Sequence, residues 1–335
     1  MAGRSRKSSG RGTAVSLGIL AAATIGSWWV FLRGDGVRDS RNSRTLTAMA
    51  SLPADLPESA SGGITSPSVP APLPQEASEP ARPPEPPSSR IPALIEASAE
   101  ARQRNDLLSA RTSLGHALAL APAEPQRGKV RAEVAELAEE TILSPRIYEG
   151  DPLAARYVLQ PGDTLAKVAA ENKVTAELLA ALNRIADKNL VRAGQVIKLV
   201  KGPFHAVVDK KAYVLDVYLG DCFVRSFRVG LGADDSTPNG TWRVSSKLVN
   251  PTYYPPRGGT IIAADDPANP LGERWIGLTG IDGAALGQER YGIHGTIEPE
   301  SIGQSSSMGC IRLQNPDVEL LYTYLVEKHS TVTVE

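Results

Sequence analysis

The stretch Tyr291–Leu313, YGIHGTIEPESIGQSSSMGCIRL, places His294 and Cys310 in a short segment crowded with Gly and Ser. Both residue types are scarce, since the chain of 335 residues has only two cysteines and four histidines. A cysteine becomes a nucleophile when a base within hydrogen-bond reach takes its proton, and an imidazole of near-neutral pKa is the usual base. Ser307, Met308 and Gly309 lead into Cys310. A small-residue turn is therefore expected to present the sulfur, with the backbone N–H groups of Gly309 and Cys310 aimed at a developing oxyanion. Taken alone, a Cys near a His is more often a small buried hydrophobe beside a structural imidazole.

Further blocks set this pair apart. His294-Gly295-Thr296 and Ser307-Met308-Gly309-Cys310-Ile311-Arg312 together resemble the signature of the L,D-transpeptidases, the YkuD-like cysteine enzymes that remodel peptidoglycan. Ser236-Thr237-Pro238-Asn239-Gly240-Thr241-Trp242 and Asn269-Pro270-Leu271-Gly272-Glu273-Arg274-Trp275 resemble two more blocks of that domain, so the resemblance runs from about His205 to Glu335. It implies that Cys310 attacks the carbonyl preceding the terminal D-alanine of a tetrapeptide stem and that His294 carries the thiol proton. The resulting thioester would pass to the amine of a second stem. A thiolate–imidazolium pair would give a bell-shaped pH dependence. Ser307, Gly309, Gly295, Thr296 and Arg312 form the surrounding loops, with Arg312 suited either to a stem carboxylate or to ordering the loop. One position departs from the family pattern, which usually has His where this chain has Met308, and a thioether neither takes up nor gives a proton at neutral pH. The resemblance leaves two rivals: a non-catalytic wall-binding scaffold, and the same acyl-enzyme chemistry with water, a free D-amino acid or a protein amine as acceptor.

Composition narrows the function classes. Lys and Arg total 36 against 37 Asp and Glu, a net charge of -1, with no sustained basic block beyond the first dozen residues, so nucleic-acid binding is unsupported. No cofactor or metal ligand set is read. Cys222 lies in the alternating run CFVRSFRV, where a half-buried strand accounts for it, and pairing it with Cys310 would consume the nucleophile; both are read as free thiols.

The chain reads as multi-domain. Arg4, Arg6, Lys7 and Arg11 precede the uncharged run Thr13–Leu32, TAVSLGILAAATIGSWWVFL. About twenty such residues span a bilayer as a helix, so 1–33 is expected to be a cytoplasmic tail and an uncleaved single-pass inner-membrane anchor, with the later domains in the periplasm or otherwise outside the cytoplasm. Residues 34–92 are rich in Pro, Ser, Ala and Glu without apolar periodicity and are read as a disordered tether.

Within 93–150, Ala93–Leu120 and Gln126–Leu143 read as two helices broken at Pro122 and Pro125, either a spacer packed on the next domain or, less readily, a partner-binding hairpin. Arg156–Val200 then predicts a strand at Tyr157–Leu159, a turn at Gly162-Asp163 with Asp163 as N-cap, two short helices and a closing strand Val196–Val200. Its blocks Tyr157-Val158, Gly162-Asp163-Thr164-Leu165, Asn183 and Gly194-Gln195 resemble a LysM domain, here 156–201. The resemblance implies a βααβ module that binds peptidoglycan glycan strands beside Gly162, Asp163, Thr164 and Asn183, although Asn183 and Gly194 could equally serve only to close the fold.

From 204 to 335 the texture is β. KKAYVLDVYLGDCFVRSFRVGLG reads as two strands about Gly220-Asp221, the Pro- and Gly-rich stretch PPRGGTIIAADDPANPLGERW as a loop overhanging a groove, Pro316–Lys328 as a helix and STVTV as a closing strand. A mainly β domain with its site on loops fits this pattern.

Overall fold

The structure is a computed structural model and describes residues 87–256 and 258–335. The expected anchor, and all but the end of the expected tether, lie outside the described residues; among the described residues no helix is long and apolar enough to cross a membrane.

Three helices open the described chain: α1 (Ile91–Gln103), α2 (Leu107–Ala119) and α3 (Gln126–Ala138). The first begins inside the segment read as tether, and the single helix expected over Ala93–Leu120 is two. Asp106 is the reason for the break, since its carboxylate accepts the Ser109 amide at 3.1 Å and so starts a new helix just after Asn105, which sits at φ +60°. Ala110, Leu114 and Ala117 on α2 and Val130, Val134 and Leu137 on α3 recur at helical spacing and are buried.

The LysM-like module pairs β1 (Ala154–Val158) antiparallel with β2 (Val196–Val200) and carries α4 (Leu165–Glu171) and α5 (Ala176–Leu182) between them. The C-terminal region follows as β3 (Phe204–Asp209), β4 (Val214–Leu219), β5 (Cys222–Arg228), β6 (Leu231–Gly232), β7 (Gly240–Val249), β8 (Arg274–Gly283), β9 (Tyr291–His294), β10 (Ser305–Ser307), β11 (Ile311–Arg312), α6 (Asn315–Tyr324) and β12 (Thr331–Val334). Eight of these strands form one sheet in the order β11-β9-β8-β7-β12-β3-β4-β5, and β10 pairs with β6 in a separate ribbon. The hairpin about Gly220-Asp221 is as the alternation predicts, with α6 ending earlier than expected, at Tyr324. The closing strand is not peripheral. β12 lies between β7, to which it is antiparallel, and β3, to which it is parallel, so the C-terminus completes the middle of the sheet.

The helices cover the β5 edge, which would otherwise offer unpaired backbone groups. Phe223 joins the helical core, the Arg131 guanidinium lies 5.2 Å from its ring centroid and also bonds Asp216, and Arg225 pairs with Glu139 at 2.5 Å. The helical segment therefore packs directly on the β5 edge of the sheet. Ties to the LysM-like module are buried as well. Arg111 makes a two-pronged pair with Asp151 at 2.7 and 3.1 Å, and the Lys198 ammonium donates to the carbonyls of Thr141 and Ser144 at 2.6 and 2.8 Å. The Thr175 hydroxyl donates to the Thr323 carbonyl, joining α5 to α6. One hydrophobic core runs from Leu165 and Leu179 through Phe204 to Leu321, so the described modules pack as one body.

Candidate active site

Two sequence-distant segments reach the site through strand pairing. β11 lies parallel to β9 with Ile311 opposite Ile293 and Arg312 opposite His294. This register brings Cys310 beside Gly292, whose backbone amide donates to the cysteine sulfur. Arg312 is locked by a reciprocal backbone pair with Gly230 at 2.8 and 2.9 Å, and its charge acts on both the thiol and the imidazole. Cys310, His294 and Arg312 thus share one site.

His294 is buried, and its ring stacks on Trp275 with centroids 5.8 Å apart. Its Nδ1 lies 2.6 Å from the Gly295 carbonyl. A carbonyl oxygen can only accept, so Nδ1 carries the proton and Nε2 is the basic nitrogen. Burial pushes the imidazole down to about 4, the Gly295 bond opposes this, and Arg312 adds to it. Burial pushes the half-buried Cys310 thiol up, against the Gly292 amide and Arg312. Burial thus disfavours the charged form of each group and works against the expected thiolate–imidazolium pair.

The loop that carries Cys310 is held by short bonds. Ser307 donates from Oγ to the Cys310 carbonyl at 2.6 Å and accepts the Gly309 amide at 3.1 Å. Gly309's N–H is therefore turned into its own loop instead of toward an oxyanion, a correction to the sequence reading that follows from the nearby serine oxygen. Gly309 itself is required, with φ +129° and a Cβ that would lie 2.7 Å from the Tyr291 ring. Thr296 accepts the Glu298 amide on Oγ1 at 3.0 Å, and Glu298 pairs with Arg312 Nη1 at 2.9 Å. Arg312 thus ties the β11 end to the turn after β9. Met308 is 57% exposed and takes part in none of these bonds.

Three contributors went unread in the sequence. Thr237 is buried and bridges, accepting the Gly232 amide and donating to the Gly309 carbonyl, each at 2.9 Å. Gly292 supplies the amide at the sulfur, and Glu298 the carboxylate on Arg312. Thr237 lay inside a recognised block, where its pairing with residues far along the chain left no local signal.

The four candidate glycan-contact residues each have a role in closing the module. Asp163 accepts from the Gln160 amide and the Tyr157 hydroxyl at 2.8 Å, and the N-cap of α4 is Thr164, bonded to the Lys167 amide at 3.1 Å; Asp163 as N-cap is thus corrected. Gly162 turns at φ +86°. Asn183 ties α5 to β2, accepting the Lys198 amide at 2.6 Å and donating to the Lys198 carbonyl at 2.9 Å.

Comparison with known proteins agrees with this architecture. The family model for the L,D-transpeptidase catalytic domain matches residues 203–334, and that for the LysM domain residues 157–200. The chain is 30% identical over 171 residues to a Bacillus licheniformis protein carrying the name L,D-transpeptidase YkuD, covering 48% of this chain and 88% of that protein. This chain belongs to the YkuD L,D-transpeptidase family. A second relative of this transpeptidase, named L,D-transpeptidase YqjB of Bacillus subtilis, is 40% identical over 124 residues, which is 36% of this chain and 65% of that protein. A solved L,D-transpeptidase from Mycobacterium smegmatis matches at 16% identity and a TM-score of 0.30, covering 42% of the transpeptidase described here and 63% of that chain.

Proposed function

We propose that this transpeptidase uses Cys310 to cut and rejoin peptidoglycan stems. The observation that carries this reading is the pairing of β11 with β9, which sets the Cys310 sulfur on the Gly292 amide in one site with a His294 whose basic nitrogen is Nε2. The thiol proton passes to Nε2 as sulfur bonds to the carbonyl preceding the terminal D-alanine. As the tetrahedral intermediate collapses, the carbon–nitrogen bond breaks and the imidazolium returns the proton to the leaving amine, releasing D-alanine and a thioester. The amine of a second stem's diamino acid then attacks the thioester and gives its proton to His294. The crosslink forms and the Cys310 thiol is restored. With Gly309 turned inward, the Cys310 amide is the donor we assign to the oxyanion.

We further propose that the LysM domain holds glycan strands and that Thr13–Leu32 anchors the chain in the inner membrane with its domains in the envelope; an uncharged apolar run and a Pro-rich tether support this reading. Incubating the detergent-solubilised chain with tetrapeptide-rich wall fragments and weighing the products tests the chemistry. Release of D-alanine with stem dimers is expected, whereas tripeptides alone would assign water as acceptor. Unchanged fragments, or full turnover by Cys310→Ala, would overturn the proposal.

A further inference from the structure

The turn after β9 is held from behind by a side chain outside the catalytic signature. Asn315 opens α6, and its Oδ1 accepts the Thr296 amide at 3.2 Å. The carboxamide lies so close to Gly272 and Gly295 that a Cβ on either would overlap Oδ1. One amide thus joins three segments: the end of the β7–β8 loop, the turn after β9, and the first turn of the helix that follows the nucleophile.

The Thr296 N–H and the Gly295 C=O belong to the same planar trans peptide, so they point in opposite directions from one rigid unit. Asn315 grips the N–H side, and His294 Nδ1 donates to the carbonyl side at 2.6 Å. The bonds run in series from the Asn315 oxygen through the peptide to the imidazole, and each polarises the next. Without the Asn315 acceptor the peptide can rotate, its carbonyl leaves Nδ1, and the ring becomes free to carry its proton on Nε2. In that form it cannot take a proton from a thiol.

We propose that Asn315 is a positioning residue for acyl transfer: by fixing the Gly295–Thr296 peptide it keeps His294 in the Nδ1–H tautomer with Nε2 open to the Cys310 proton. This rests on His294 being the base. That reading would fail separately, on His294→Gln retaining the wild-type rate, whereas the proposal fails on the tautomer.

The test uses the full chain as wild type, Asn315→Ala and Asn315→Asp, with 15N-imidazole spectra and the kinetics of a soluble tetrapeptide. In Asn315→Ala the Nδ1–H signature should give way to a mixture, and kcat should fall about tenfold to a hundredfold with KM changed less than about twofold. Asn315→Asp keeps the oxygen acceptor and should restore both the signature and most of kcat. A folded Asn315→Ala with wild-type tautomer and kcat overturns the proposal, as does an aspartate variant as impaired as the alanine one. Should Asn315→Ala not fold, the wild-type and aspartate spectra decide: Nδ1–H in both supports the proposal, and Nε2–H in either overturns it.

Discussion

His294 gives its Nδ1 proton to the carbonyl of Gly295, the next residue in the chain, at 2.6 Å, while burial holds the ring down to about 4. The base is therefore unprotonated from mildly acidic pH upward, and the raised thiol stays protonated through neutrality. Acylation by a carbapenem is expected to rise through an acid limb near pH 4 and then run level across neutral pH, without the bell of an ion pair. Stopped-flow acylation rates against pH measure this, and an acid limb near 6.5 would contradict it.

The same imidazole makes the fold sensitive to acid. Unfolded, it titrates near about 6.5; folded, near about 4. Between these values the unfolded chain binds a proton that the folded chain does not, so the stabilisation is complete above about 6.5 and is lost as pH falls toward 4. The loss amounts to at most about 3–4 kcal/mol at ~1.4 kcal/mol per unit. Chemical denaturation at a series of pH values should show a shallower slope over this window for His294→Gln than for wild type.

Cys222 and Cys310 should be distinguishable by labelling. Burial pushes both thiols up, Cys222 to about 11, but at Cys310 the Gly292 amide and the Arg312 charge oppose it. A carbapenem should add one equivalent at Cys310, and peptide mapping should find none at Cys222. Removing the base by His294→Gln should slow that addition on the order of a hundredfold or more.

Met308 is 57% exposed, and a thioether neither takes up nor gives a proton. Met308→His is expected to change the acylation rate less than about threefold, a typical surface effect. A gain of tenfold or more would show that the natural residue impairs the site and would favour the scaffold reading.

The Arg111–Asp151 pair is almost fully enclosed, with side-chain exposures of 3% and 0%. Arg111→Met leaves a buried carboxylate without its partner and should cost on the order of 3–5 kcal/mol in denaturant unfolding, whereas adding Asp151→Leu should recover most of it. Equal losses in the single and double variants would mean that packing, and not charge, dominates there.

The readable part of the molecule was the part written in local periodicity. Alternation marked β4 and β5 about Gly220-Asp221, apolar spacing marked the faces of α2 and α3, and Val196–Val200 was placed to the residue because a strand's pattern repeats every second position. The scarcity of Cys and His in the chain, and their meeting in one Gly- and Ser-rich stretch, single out Cys310 and His294 from sequence. The break between α1 and α2 was also present locally, in the polar run RQRND at 102–106 that ends on the Asp106 cap.

What the chain does not write locally was settled by distant segments. β12 enters the sheet between β7 and β3 because those strands leave complementary backbone groups open side by side, a condition that no alternation within STVTV expresses. Thr237 reaches Gly309, and Asn315 reaches Thr296, only after the sheet has brought their segments together. The ionisation of the site is of the same kind. Residue type says that a thiol and an imidazole are available, but their protonation depends on how much water the neighbours exclude, and burial lowers the imidazole and raises the thiol.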